Sequence, residues 1–252
     1  MTNWEHFLTT GVLVAIRLSG LMVFAPVFNS AALPPRIKAG FVFALTILLA
    51  PVVAAVPGAV DILNVGSIAG ELGVGLVFGL SLMMLTESLL FAGTLLGMSF
   101  SFSLVNLLDP NTQVETPVLG QMLGLFGVMV IVGAGLDRVL LAAMVRSFCI
   151  VPVGHAVIQA TTGAALAKMA AGIFLSGLQL AAPVMAAALA VEMTVSMVSR
   201  LAPTLPVQVI GVPLKTMASY AVLVGSLAVW PGWIERHFAA LLDVAGKMLV
   251  RG

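Results

Sequence analysis

Charged side chains are what this sequence has least of. Eleven Lys and Arg and ten Asp and Glu make up 8% of its 252 residues. Water-soluble domains carry about a quarter, so an ordinary soluble fold is excluded. The net charge of +1 leaves no basic footprint for a nucleic acid. One cysteine, Cys149, rules out an internal disulfide. No His-Glu-x-x-His pair, Gly-x-Ser-x-Gly elbow or phosphate-cradling loop is present. Arg17-Leu18-Ser19-Gly20 lacks the leading glycine of an intramembrane serine protease. Asp109 and Asp137 stand at the ends of apolar runs, and His6, His155 and His237 are scattered. Neither a catalytic group, a metal ligand nor a cofactor is therefore expected. Before Phe7 stand Glu5 and His6 but no Lys or Arg, so the first apolar segment is expected to remain as a helix rather than be cleaved as a signal.

What is present is hydrocarbon. The chain is 61% hydrophobic with a mean hydropathy of +1.17. Charge-free runs cover Leu18–Pro35, Ala39–Val60, Ser88–Leu108, Thr116–Leu136, Ser147–Ala167, Met169–Val191 and Thr216–Ile234. A helix crosses a bilayer with roughly 20 apolar residues, so about six membrane-length helices are expected and the class is all-α, multi-pass. The first unit, Phe7 to Phe28, carries Arg17 near its middle. An arginine there costs roughly 3 kcal/mol, and each Leu, Ile, Val or Phe returns about 0.3–0.6. Nine such residues between Val12 and Val27 make insertion narrowly favourable. Pro34-Pro35 turns the chain into a second unit, Ala39–Val56, ended by Pro57-Gly58.

Glu71 to Leu108 outruns one crossing, and the pattern allows two helices or one that continues beyond the bilayer. Pro117–Leu136 and Leu140–Ile158 follow, then Ala164–Ser199, expected to break at Pro183, and Pro213–Trp230. The tail from Glu235 reads as an amphipathic helix, with Phe238, Leu241, Leu242 and Leu249 apolar and Arg236, Lys247 and Arg251 basic. Arg36, Lys38 and the tail hold the clustered basic residues, which places them in the cytoplasm and the N-terminus outside.

The most telling stretch runs from Leu95 to Asn111. An apolar, serine-dotted run stops at Asp109-Pro110-Asn111 and restarts at Pro117-Val118-Leu119-Gly120-Gln121. Aspartate before proline is disfavoured in helix. A polar hinge between such apolar segments is tolerated only inside protein or against a cavity, which points to control of a passage. Gly75/Gly79, Gly93/Gly97 and Gly120/Gly124 are Gly-xxx-Gly pairs that let helix backbones approach closely. Arg17, Glu71, Glu87, Arg146 and Glu192 are charges inside apolar runs, expected to face protein and pair. The residues alone also allow a small-solute secondary transporter, with broken helices meeting at a midplane site.

Arg17-Leu18-Ser19-Gly20, Pro26-Val27-Phe28, Pro34-Pro35-Arg36-Ile37-Lys38 and Gly70-Glu71-Leu72-Gly73-Val74-Gly75 form an ordered series. It continues through the Leu95–Asn111 run, Pro117–Gln121, Ser147-Phe148, Val151-Pro152-Val153-Gly154 and Ala182-Pro183-Val184. Ser199-Arg200-Leu201-Ala202-Pro203 and Gly211-Val212-Pro213-Leu214-Lys215 close it. In this order and spacing the chain resembles the FliR family of flagellar export-gate membrane proteins, whose injectisome counterpart is SctT. It departs from the family at Gly135-Leu136-Asp137, where Gly-Gly-His is usual, and at Pro203–Val207.

The resemblance implies an all-helical subunit of the type III protein export gate, multi-pass in the bacterial inner membrane within the flagellar basal body. It implies a FliP-like part over 1–170 fused to a FliQ-like hairpin and amphipathic helix over 171–252. The implied partners are FliP-like and FliQ-like subunits in a hetero-oligomer, FlhB-like and FlhA-like components, unfolded export substrates and lipid. The family's plug maps onto the loop near 106–116, with Asn106, Leu107, Leu108, Asp109, Pro110, Asn111, Thr112 and Gln113 as its gate residues. Arg17, Glu71, Gly75, Gly79, Gly93, Gly97, Gly120, Gly124, Arg200 and Lys215 are the expected helix-packing and intersubunit contacts.

Overall fold

A computed structural model of the chain describes residues 3–25, 34–57, 63–100, 118–156, 160–202 and 207–250. Among the described residues there are eight helices and no strand. In chain order they are α1 (Asn3–Phe24), α2 (Pro35–Ala54), α3 (Val65–Ser99) and α4 (Val118–Gly133). Then follow α5 (Leu136–Ile150), α6 (Ala160–Leu201), α7 (Val207–Leu227) and α8 (Trp230–Val250). Five are long and apolar enough to cross a membrane, or six spans if α4 and α5 count as one.

Local chemistry accounts for the helix boundaries. Pro35 starts α2, where its fixed φ suits the first turn and its missing N–H costs nothing. Asn64 Oδ1 accepts the Ser67 N–H at 3.0 Å while the Asn64 N–H reaches Ser67 Oγ at 3.1 Å, a reciprocal cap that launches α3. That helix is continuous for 35 residues, so the long run from Glu71 is a single helix as far as Ser99. Gly135, at φ +69°, permits the left-handed residue that separates α4 from α5 at a 70° bend.

The expected break at Pro183 does not occur, and α6 runs unbroken for 42 residues. Pro183 stands on the exposed side of α6, opposite the buried stripe Ser176, Leu180, Val184 and Ala188. Its ring therefore meets no packed neighbour, and the freed carbonyl one turn back can tilt outward.

Contacts divide the chain into two compact units. The first comprises Met1–Leu85, Ile131–Ala170 and Glu235–Gly252; the second comprises Thr86–Val130 and Ala171–Ile234. Helices α3, α4, α6 and α8 each contribute residues to both.

In the first unit, apolar burial by itself gains little over lipid contact, so close backbone approach must supply the attraction between helices. Glycines provide it where α1 meets α3. A Cβ on Gly20 would lie 2.7 Å from the Leu72 carbonyl oxygen, one on Gly79 2.7 Å from that of Leu21, and one on Gly75 would overlap the Arg17 carbonyl. Leu13, Val14, Leu18 and Leu21 are buried around this seam. Helix α2 lies on α1 through Thr46 and Ala50, opposite Gly11, and leaves Phe43, Ile47, Leu48 and Val52 exposed.

The tail forms a helix, and the structure gives its apolar face a protein environment. Trp230, Ile234, Phe238, Leu241, Leu242 and Ala245 form one stripe along α8, and all are buried. That stripe is taken up by protein and is not free to lie on a leaflet.

In the second unit, α3 is held between α4 and α6. A Cβ on Gly93 would overlap the backbone of Gly120, Gly124 faces Leu90 at 3.7 Å, and a Cβ on Gly177 would come 2.9 Å from the Ser88 carbonyl. Phe91 meets Phe174 edge-on at 5.2 Å and Phe126 meets Trp230 at 6.3 Å.

Gly75→Leu is expected to destabilise the detergent-solubilised protein by about 1–3 kcal/mol or to prevent its accumulation. Gly40→Ala, where nothing stands within 4 Å of the added Cβ, should be neutral or stabilise by about 0.5–1 kcal/mol. Thermal unfolding followed by far-UV circular dichroism separates the two.

Burial lowers the pKa of His237 on α8 below its ordinary 6.5. Both folded and unfolded chains hold it neutral above that value. Below it the unfolded chain takes the proton first, so stability falls with falling pH until the folded pKa is passed. The fall in melting temperature from pH 7 to pH 5 should be smaller in His237→Gln than in the parent.

Candidate functional site

The charge at the centre of α1 has found a partner on α3. Arg17 and Glu71 are both fully buried, and Arg17 Nε donates to Glu71 Oε2 at 2.5 Å. Nη1 donates to Ser147 Oγ at 3.1 Å and Nη2 to the Val151 carbonyl at 3.1 Å. The Phe148 ring lies 4.2 Å from the guanidinium carbon, a cation–π contact on the remaining face. Each guanidinium nitrogen thus has an acceptor, as a charge at this depth requires.

The carboxylate is held equally firmly. Glu71 Oε1 accepts the Gly154 N–H at 2.9 Å. Gly154 sits at φ +87°, a conformation that L side chains rarely adopt, and this aims its N–H at Glu71. Ser147 Oγ in turn donates to the Met144 carbonyl at 2.6 Å. A Cβ on Gly70 would collide with the Ala156 carbonyl, so the residue beside Glu71 must be glycine for α3 to reach this turn. The cluster ties α1, α3, the end of α5 and the turn at 151–156 together. With both charges closed off by fixed partners, it is a clamp and holds no open valence for a substrate.

Of the other predicted contacts, Gly75 and Gly79 line the α1–α3 seam, and Gly93, Gly120 and Gly124 line the α3–α4 seam. Gly97 is buried on α3. Lys215 Nζ donates to Glu192 Oε2 at 3.0 Å between α7 and α6, the two side chains being 21% and 59% exposed. Arg200 is exposed in the last turn of α6, where a cation complements the helix dipole.

The expected gate residues Asn106–Gln113 lie outside the described residues. Their flanks do not. Phe100, the last described residue before them, is buried and stacks on Tyr220 of α7 at 4.5 Å with planes 27° apart. Across the gap, Gly120 at the start of α4 is against Gly93. The described chain before the gap is thus held by a ring contact to α7, and after it by a backbone-to-backbone contact with α3.

Sequence reasoning did not single out Gly20, Gly70, Gly127 or Gly177 as packing residues, nor Ser147, Phe148, Val151 and Gly154 as the lining of the Arg17–Glu71 pair. Ser147-Phe148 and Val151–Gly154 were visible only as fragments of a family pattern. Their role depends on a turn that folds back over 80 residues to Glu71.

Comparison with known proteins adds an independent observation. The family described as "Bacterial export proteins, family 1" matches residues 8–241. The chain is similar to the flagellar biosynthetic protein FliR of Bacillus subtilis strain 168, at 28% identity over 242 residues, covering 94% of this chain and 93% of that protein. It is similar to that of Caulobacter vibrioides at 27% over 237 residues, covering 92% and 94%. Escherichia coli K12 FliR is 22% identical over 249 residues, covering 98% and 95%.

Removing one charge of the clamp leaves the other buried and unpaired. Arg17→Ala or Glu71→Ala is expected to cost about 3–5 kcal/mol. The double variant Arg17→Met/Glu71→Met should recover a large part of that loss. A double-mutant cycle on unfolding free energy in detergent measures the coupling, and additive losses would show that the pair acts as two separate sites.

Proposed function

Because the chain belongs to the bacterial export proteins of family 1, we propose that it is a subunit of the flagellar type III export gate in the bacterial inner membrane. The observation that carries the reading is the family match across residues 8–241, nearly end to end. The relatives cover it at similar length and are named flagellar biosynthetic proteins rather than enzymes. Several apolar helices agree with an integral membrane protein. The small-solute transporter reading finds no support, since the matched family is one of export proteins.

In this reading the protein performs no chemistry. Residues 1–170 form a FliP-like part and 171–252 a FliQ-like hairpin with its tail helix. The chain assembles with FliP-like and FliQ-like subunits and contacts FlhB-like and FlhA-like components. Together they build a conduit for unfolded flagellar subunits. The loop Asn106–Thr116 plugs it, with Asn106, Leu107, Leu108, Asp109, Pro110, Asn111, Thr112 and Gln113 at the constriction.

Two features support the assignment. Helices α3 and α6, with 35 and 42 residues, span about 52 and 63 Å at 1.5 Å per residue. Both exceed the ~30 Å hydrocarbon layer, which agrees with a gate that extends past it. Helices α6 and α7 expose Leu189, Met193, Met197, Ile210, Met217 and Val224, an apolar surface that lipid or neighbouring apolar subunits can cover.

Affinity purification from native membranes should recover other membrane subunits in unequal ratio. A protein that stays alone or forms only a small homo-oligomer would contradict the gate reading. Deleting Leu107–Asn111 should leave assembly intact while resting membranes leak ions. A tight membrane around a fully assembled deletion variant would remove the plug assignment.

A further inference from the structure

Helix α3 carries a second carboxylate, and the clamp does not use it. Glu87 is half-buried, a little past the middle of the 35-residue helix. Ion pairs among the described residues join Arg17 to Glu71, Lys215 to Glu192 and Lys247 to Asp243. None involves Glu87, and no hydrogen bond among those residues reaches it. Every Lys and Arg of the chain except Arg251 lies among the described residues. Among the described residues, no Lys or Arg therefore matches this carboxylate.

Its place on the helix says which way it faces. Ser88 and Ala92 lie against Gly177 of α6, while Leu89, Leu90 and Gly93 lie against α4. At 100° per residue a third stripe lies between these two flanks, occupied by Glu87, Thr94 and Met98 at i, i+7 and i+11, and it is partly open among the described residues. Met98 is 63% exposed. The Thr94 hydroxyl is satisfied by the Leu90 carbonyl at 3.0 Å, so the stripe presents one unmet charge on a surface that is otherwise apolar.

Resting on the gate-subunit reading above, we propose that this stripe is an intersubunit face. A helix of a neighbouring membrane subunit covers it, with a Lys or Arg set opposite Glu87 in an apolar surround. A carboxylate in an apolar segment turns toward protein and an opposite charge, and the missing complement here is a cation. The single charge sets register and orientation between the two helices, as isolated polar positions do in apolar helix interfaces.

The test uses the assembled complex in native membranes. A photo-crosslinking residue at position 87 should form an adduct that maps to a Lys- or Arg-bearing apolar helix of another subunit. The same residue at buried Leu96 should give none. Glu87→Lys should lower recovery of the hetero-complex by at least about tenfold, and Glu87→Asp should retain much of it. Changing the crosslinked cation to Glu should restore assembly with Glu87→Lys, which distinguishes lost pairing from failed folding. Adducts with lipid alone, or wild-type recovery of both Glu87→Lys and Glu87→Gln, would overturn the assignment. Absence of any other subunit from the wild-type purification would instead bring down the gate reading itself.

Discussion

A guanidinium buried in hydrocarbon has to be answered atom by atom, and in this protein the answer organises the first unit. Arg17 draws a carboxylate from α3, a hydroxyl from the end of α5 and a carbonyl from the turn that follows. Desolvating two charges costs so much that such a pair is weak evidence for stability. What it supplies is register. Only one axial setting of α1 against α3 brings Arg17 to Glu71, and in that setting Gly20 and Gly75 fall where the two backbones touch. The close approach and the ion pair therefore require each other. A larger residue at Gly75 would push apart the charges, and an unpaired charge would leave the tight seam with nothing to align it.

The second unit is held by a different device. Here the contacts are glycine against backbone and ring against ring, with no buried ion pair among the described residues. The described residues on either side of 101–117 are held in this way. Gly93 and Gly120 bring α3 and α4 together, and Phe100 against Tyr220 anchors the point of departure. Glu87, on the same helix, has no ion-pair partner among the described residues, and that is what the proposed neighbouring subunit would supply.

How far the site could be read from residues alone depended on the range of the interaction. Arg17 and Glu71 were recognisable as buried charges because neither can rest in lipid unpaired. That they meet each other was not, because 54 positions separate them and any of several carboxylates could have served. Gly75 and Gly79 announced themselves by four-residue spacing. Gly70 and Gly177 did not, since each answers a single approach from a distant turn or ring. Pro183 misled because a proline's effect depends on the face it occupies, and only packing decides that α6 buries the opposite side. The tail's surroundings were open for a like reason. Its amphipathic stripe is real, yet the same stripe serves a leaflet or a protein core equally well.

Composition and periodicity settled the class of this molecule by themselves. With 8% charge and 61% apolar residues, long helices that satisfy their own backbone were the available solution, and the order of its short motifs marked the export family. Those are properties of single segments, governed by local hydrogen bonding and by the cost of wetting hydrocarbon. Tertiary structure alone decided which charge answers which, which glycines are contact points, and which carboxylate is left facing outward. Those outcomes depend on where distant segments meet, and in an apolar interior a displacement of one helical turn is enough to strand a charge.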